Sequence, residues 1–150
     1  PGRPDRNSLP FVQLERMAIP VMNTVLIGRV QGTGTNKDTF NRASPDRDRT
    51  LFRTEALQVL LGMNQNQAYS EQLVNALMPD ILPFDTNSLE GFDVLNGRRP
   101  QDDVIDKVLD LASNGADTGD RVDQNDVPFL NDFPFFAPPH EPSAGVPPRN

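Results

Sequence analysis

The chain of 150 residues contains no cysteine and no tryptophan, and only one tyrosine and one histidine. The missing cysteine excludes disulfides and thiolate metal sites, without fixing the compartment. Any histidine-based catalytic triad would have to use His140, which sits in a proline-rich tail beside no nucleophile motif. Apolar residues are scarce at 36%, so the core is expected to be small and the isolated chain marginally stable. No apolar run approaches the roughly 20 residues that cross a bilayer. Positive charge is short too: 14 Lys and Arg face 21 Asp and Glu, a net −7. That balance argues against nucleic acid, whose binders carry a basic face, and against anionic lipid. No signal peptide is visible, and the opening Pro1-Gly2-Arg3-Pro4 lacks an initiator methionine. A processed product or a piece of a longer protein is therefore expected.

What the chain has in quantity is proline, fifteen in all, with ten glycines. Long stretches can then be neither helix nor strand interior. The most self-consistent segment is residues 96–112, NGRRPQDDVIDKVLDLA. Asn96 and Gly97 both tolerate positive φ and suit a tight turn. Pro100 suits the first helical position. Asp102 and Asp103 would then lie in the first turn, complementing the helix dipole. Val104, Val108 and Leu111, joined by Ile105, Leu109 and Ala112, recur at helical spacing, with Asp106, Lys107 and Asp110 left to solvent.

Residues 1–10 read as a polar N-terminal arm. Residues 11–16 alternate weakly and predict a short half-buried strand; residues 21–30 are apolar on both faces and predict a covered strand. Residues 33–43 read as a loop. Ser44-Pro45-Asp46 is a helix start, followed by a buried stripe of Phe52, Ala56, Val59, Leu60 and Met63 that Gly62 brings to an end. Ser70 is expected to cap a shorter helix carrying Leu73, Ala76 and Leu77, stopped by Pro79. Residues 79–85 then read as an extended linker that inserts Ile81, Leu82 and Phe84 among the helices. Beyond Ser113, residues 114–126 are rich in glycine and aspartate. Residues 129–136 hold four of the nine phenylalanines, and a proline-rich tail follows.

Residues 79–111, PDILPFDTNSLEGFDVLNGRRPQDDVIDKVLDL, resemble the closing segment of a bacterial family known as domain of unknown function family 4331. Residues 11–23 (FVQLERMAIPVMN), 40–47 (FNRASPDR) and 121–139 (RVDQNDVPFLNDFPFFAPP) are similar to other motifs of that family, in the same order. His140 falls where members often carry a proline–histidine pair. Family members are usually longer, with a strand-rich N-terminal part that this chain lacks. The resemblance implies only the C-terminal part of such a protein, an exported location, and no assigned reaction.

Four groups of residues could carry chemistry. Arg98 and Arg99 beside a helix N-terminus could hold an anion, or fasten the turn by pairing with Asp102, Asp103 or Asp106. Asp117, Asp120, Asp123 and Asp126 have the oxygen ligands of a calcium loop. Their spacing departs from the EF-hand, which would place Gly115 at the first ligand and Asp120 at the turn glycine, and aspartates that cap local N–H groups are the other reading. Asp80, Asp85, Glu90 and Asp93 could supply a carboxylate pair, with nothing in the sequence to fix their separation. Phe129, Leu130, Phe133, Phe135 and Phe136 would remove ~150–250 Å² per ring from water if covered. They either complete this chain's core or anchor on a neighbour.

The expectation is thus an α+β fold: a small irregular domain with about three helices, one or two short strands and long extended proline-rich arms. Its parts would be an N-terminal arm (1–10), a helical and strand unit (11–126) and an aromatic, proline-rich C-terminal arm (127–150). Its function would be that of a non-catalytic accessory or structural subunit, periplasmic or extracellular. It would dock through its arms on a larger protein assembly such as a membrane complex, with no membrane span of its own, no nucleic acid and no cofactor. The alternative is a secreted binding module with a calcium-stabilised loop.

Overall fold

The computed structural model describes residues 13–20, 22–28, 36–117 and 119–139. The N-terminal arm at 1–10, Phe11 and Val12 of the first expected strand, His140 and the tail beyond it lie outside them. Five α-helices form the frame: α1 (Asn36–Arg42), α2 (Asp48–Leu51), α3 (Arg53–Asn64), α4 (Gln67–Leu77) and α5 (Val104–Ser113). Among the described residues there is no strand, so the α+β expectation is overturned in favour of an all-helical architecture.

The apolar run that suggested a covered strand turns instead into a π-helical turn at Met22–Leu26. Met22, Asn23, Leu26 and Ile27 are buried while Thr24 and Val25 between them are exposed, whereas a pleated strand would put residue i+2 on the same face as i and i+4. The Ile27 N–H reaches back to the Met22 carbonyl at 2.9 Å. The buried Asn23 amide Nδ2 donates to the Arg16 carbonyl at 3.0 Å and to Asn41 Oδ1 at 3.1 Å. Those bonds use side-chain amides where a strand would need a ladder partner. The described part of the first expected strand is likewise irregular: Gln13 Nε2 donates to the Asn41 and Ala43 carbonyls.

The expected loop at 33–43 contains α1 across its described part, because Phe40 has a core to enter. Its ring meets Phe52 edge-on, centroids 5.2 Å apart. The Ser44-Pro45 helix start holds in position, with Ser44 at the N-cap and Pro45 opening a single 3-10 turn, Pro45–Arg47, but the Ser44 hydroxyl makes no capping bond. Backbone bonds from Phe52 N–H to Asp48 (2.8 Å) and from Ala56 N–H to Phe52 (3.1 Å) carry α2 into α3. Helix α3 passes Gly62 and stops at Asn64, where Gln65 takes a left-handed conformation. It is the hub, packed on α4, α5 and the π-helical turn.

Helix α4 starts earlier than expected. Asn66, not Ser70, caps it by accepting from Tyr69 N–H at 3.1 Å, while Ser70 is buried one turn in and donates to Asn64 Oδ1 at 2.9 Å. Helix α5 starts later. Asp103 is its N-cap, accepting from Asp106 N–H at 3.1 Å, and Pro100 and Asp102 lie in the turn before it. The core runs from Ile19 through Phe40, Ala56, Leu60, Val74 and Leu77 to Phe92, Val108 and Ala112. Of the linker residues expected to insert, Leu82 is half-buried, whereas Ile81 is 53% and Phe84 70% exposed. Asp80 is the one linker residue that is fully buried, and it is drawn in by charge.

That charge is Arg16. Its side chain is nearly covered and lies between the fully buried carboxylates of Asp48 and Asp80. Nη1 donates to Asp48 Oδ2 at 3.0 Å, Nη2 donates to Asp48 Oδ1, and Nε donates to the Phe40 carbonyl at 2.9 Å. The guanidinium rests 3.7 Å above the Phe40 ring. Asp80 also accepts the Ile19 N–H at 2.8 Å, and Asp48 accepts the Asp80 N–H at 2.8 Å. A buried pair with its spare lone pairs this well used is strongly destabilising to break, whatever its net worth against an apolar replacement.

Candidate docking surface

Residues 81–103 form a loop tied down by side chains. Asn96 does not take the positive φ expected of a turn asparagine; Leu95 (55°) and Gly97 (67°) do. Asn96 works through its amide instead, accepting from Asp85 N–H at 2.6 Å and donating to the Glu90 carbonyl at 3.0 Å. Gly97 is required twice over, by its φ and because a Cβ there would stand 2.8 Å from the Phe84 ring. Asp102 gathers the Phe92 N–H (2.9 Å), the Arg99 N–H (2.8 Å) and Arg99 Nε (2.7 Å). Burial alone would raise its pKa; the two backbone donors and the guanidinium outweigh that and hold the carboxyl below its usual value. Arg99 therefore fastens the turn, and Arg98 is exposed beside it.

The aspartates of the expected calcium loop are strung along the surface. Asp120 Oδ1 accepts Val122 N–H at 2.9 Å, Asp117 Oδ1 accepts Gly119 N–H at 3.4 Å, and Asp106 Oδ1 accepts Asp120 N–H at 2.7 Å. Among the described residues no three acids or histidines come together as a group able to hold a metal. Asp123 and Asp126 are exposed farther along. Three of the four carboxylates considered as a pair have local partners: Asp80 belongs to the Arg16 cluster, Asp85 Oδ1 accepts Asn87 N–H at 2.9 Å, and Ser88 donates to Glu90; Asp93 is exposed.

The aromatic segment is a closed loop. Leu130 N–H donates to the Phe135 carbonyl and Phe135 N–H to the Asp132 carbonyl, both at 2.8 Å. The Phe133–Pro134 peptide is cis, and Phe135 has a φ of 68°. Phe129 pairs edge-on with Phe136, and Phe133 with Phe135, each at 6.2 Å between centroids. Phe129 is half-buried and lines a groove shared with the start of α5. The others face out: Leu130 is 43%, Phe133 87%, Phe135 48% and Phe136 59% exposed. Of the two readings of these rings, completion of the chain's own core is not met: Phe129 is half-buried, but none of the five belongs to the core cluster of the described residues.

Sequence reasoning missed the Arg16–Asp48–Asp80 cluster and the role of Gly91, where a Cβ would collide with the Asp102–Arg99 pair. Neither has a local signal, since the partners of Arg16 lie 32 and 64 positions away. Fold and surface together define a small helical unit with an ordered, outward-facing aromatic loop. No family model, curated protein or solved structure matches the chain, so the resemblance to domain of unknown function family 4331 stands on the quoted motifs alone.

Proposed function

We propose that this chain is a non-catalytic accessory or structural subunit that docks on a larger protein assembly through its C-terminal aromatic loop. The observation that carries the reading is the exposure of Leu130, Phe133, Phe135 and Phe136 on a loop whose backbone is already closed by hydrogen bonds. Large apolar side chains clustered on a free surface mark interaction sites. Rings presented by a preformed backbone lose little conformational freedom on binding, which favours anchoring. The periplasmic or extracellular setting, with the exposed face of a membrane complex as the partner, is part of the same proposal and draws on the family resemblance. Among the described residues no helix is long and apolar enough to cross a membrane.

The test is co-purification of the intact chain from its source beside two variants, deletion of residues 127–150 and Phe135→Ala. The deletion is expected to release the partner while helical circular dichroism is retained, and Phe135→Ala to weaken association by ~2 kcal/mol or more. An intact chain recovered as a stable monomer without a partner would overturn the reading, as would a deletion variant that keeps its partner.

A further inference from the structure

We infer that the partner surface is basic: a protein face on which an apolar recess is ringed by lysine or arginine. The inference rests on the docking reading above and adds the chemistry of what docks.

Residues 102–139 contain nine aspartates against Lys107 and Arg121, a net −7 that equals the net charge of the whole chain. The remaining residues balance, twelve acids against twelve bases. Asp102 is paired with Arg99 just outside this stretch, so six of the seven net charges are uncompensated in the stretch that carries the exposed rings. Charge and rings also meet in space. A groove of about 460 Å³ between the start of α5 and the aspartate-rich loop is lined by Ile105, Val122 and Phe129 together with Asp103, Asp120 and Asp123. Phe129 belongs to both features, since its ring also packs on Phe136 of the exposed loop. Groove and loop thus meet at Phe129, on a surface that carries both apolar and acidic side chains.

Among the described residues none of these three acids forms an ion pair. Asp103 and Asp120 accept backbone N–H groups of Asp106 and Val122, which satisfies one oxygen without neutralising either side chain. The positive end of the α5 dipole amounts to about half a charge, which three carboxylates outweigh. Such a surface repels acidic partners and speeds encounter with basic ones, while the rings provide the short-range contact.

The test uses two short synthetic peptides, one alternating arginine with leucine and one alternating glutamate with leucine, each added to the ¹⁵N-labelled full chain. The arginine peptide is expected to shift the amides of residues 103–106 and 120–136 and to bind about tenfold tighter than the glutamate peptide at low salt. Neutralising the rim with Asp120→Asn plus Asp123→Asn is expected to weaken it about fivefold, and added salt to narrow the difference. Equal binding of the two peptides, no binding of either, or indifference to the double neutralisation would overturn the basic partner. Phe133→Ser separates the two proposals. If it abolishes binding while the neutralised variant still binds, docking by the loop survives and the basic partner falls. If the neutralised variant loses the peptide and Phe133→Ser does not, the basic partner survives and docking by the loop falls.

Discussion

Asp48 receives Arg16 through both terminal guanidinium nitrogens, although 32 positions separate the two residues in the chain. The same carboxylate takes the Asp80 N–H, so one buried side chain joins three segments. Asp48→Ala is expected to destabilise the fold by about 3–5 kcal/mol, because it strands a covered guanidinium and a backbone donor. Asp48→Asn keeps an acceptor for the Asp80 N–H and should cost less. Urea unfolding checks both, and a loss below about 1 kcal/mol for the alanine variant would show that water replaces the carboxylate there.

Two phenylalanines should separate folding from docking. Phe92 is 1% exposed and Phe133 87% exposed. Phe92→Ala is expected to lower stability by about 3–5 kcal/mol, and Phe133→Ala to change it by no more than about 0.5 kcal/mol. Matching thermal melts of the two variants would contradict this assignment of core and surface.

Asp102 should contribute to acid sensitivity. Its folded pKa lies below the ordinary value of 3.8, so its stabilisation is complete above the unfolded pKa and is lost as pH falls through the folded one. Asp102→Asn is therefore expected to flatten stability against pH below about 4 and to leave its shape near neutrality unchanged. Denaturant midpoints measured through that window decide it; an unchanged acid limb would remove Asp102 from the account.

Tyr69 offers a direct spectroscopic reading, being the one tyrosine in a chain without tryptophan. Its hydroxyl donates to the Leu111 carbonyl at 2.8 Å. Burial, and then the Asp110 charge, push its pKa above 10.0. The phenolate absorbance of the native chain should rise later than that of the unfolded chain. Asp110→Asn is expected to recover part of the difference. The linked stability is present below the unfolded pKa and disappears as pH rises through the folded value. Coincident native and unfolded titrations would mean that the hydroxyl is open to solvent.

Calcium is expected to leave the melting temperature unchanged at millimolar concentration. Asp117 and Asp120 each accept a local N–H group, and the described acids do not converge. A rise in melting temperature that a chelator reverses would show that the loop rearranges into a ligand set.

Helices whose signals were periodic and local were legible from the residues: the stripe through Phe52, Ala56 and Leu60, the Ser44-Pro45 start, and the apolar face of α5. Caps shifted where a side chain had a distant competitor. Asp102 is held by Phe92 and Arg99, which moves the start of α5 from Pro100 to Asp103, and Ser70 is buried because Asn66 caps α4 one turn sooner. The strand expectation failed at residues 22–27 because a short apolar run carries no period of its own; Asn23, bound to Asn41, decided the outcome. Phe84 and Ile81 were assigned to the interior on hydrophobicity, yet Pro83 and Asn96 organise a loop that holds Phe84 over Gly97 in solvent. The aromatic loop was legible as a set of residues. Its closure was not, for it depends on the Leu130–Phe135 bond.

The Arg16 cluster also sets an order of events during synthesis. Arg16 must wait for Asp48, and the segment around it for Asp80, whose Oδ1 accepts the Ile19 N–H across 61 positions and whose Oδ2 takes Arg16 across 64. On a ribosome adding about 5–20 residues each second, that interval lasts several seconds. During it Ile19 lacks the acceptor that holds it in the folded chain. Nascent chains stalled before Asp80 should therefore be cut readily by protease near residue 19, and chains stalled after it has cleared the exit tunnel should resist.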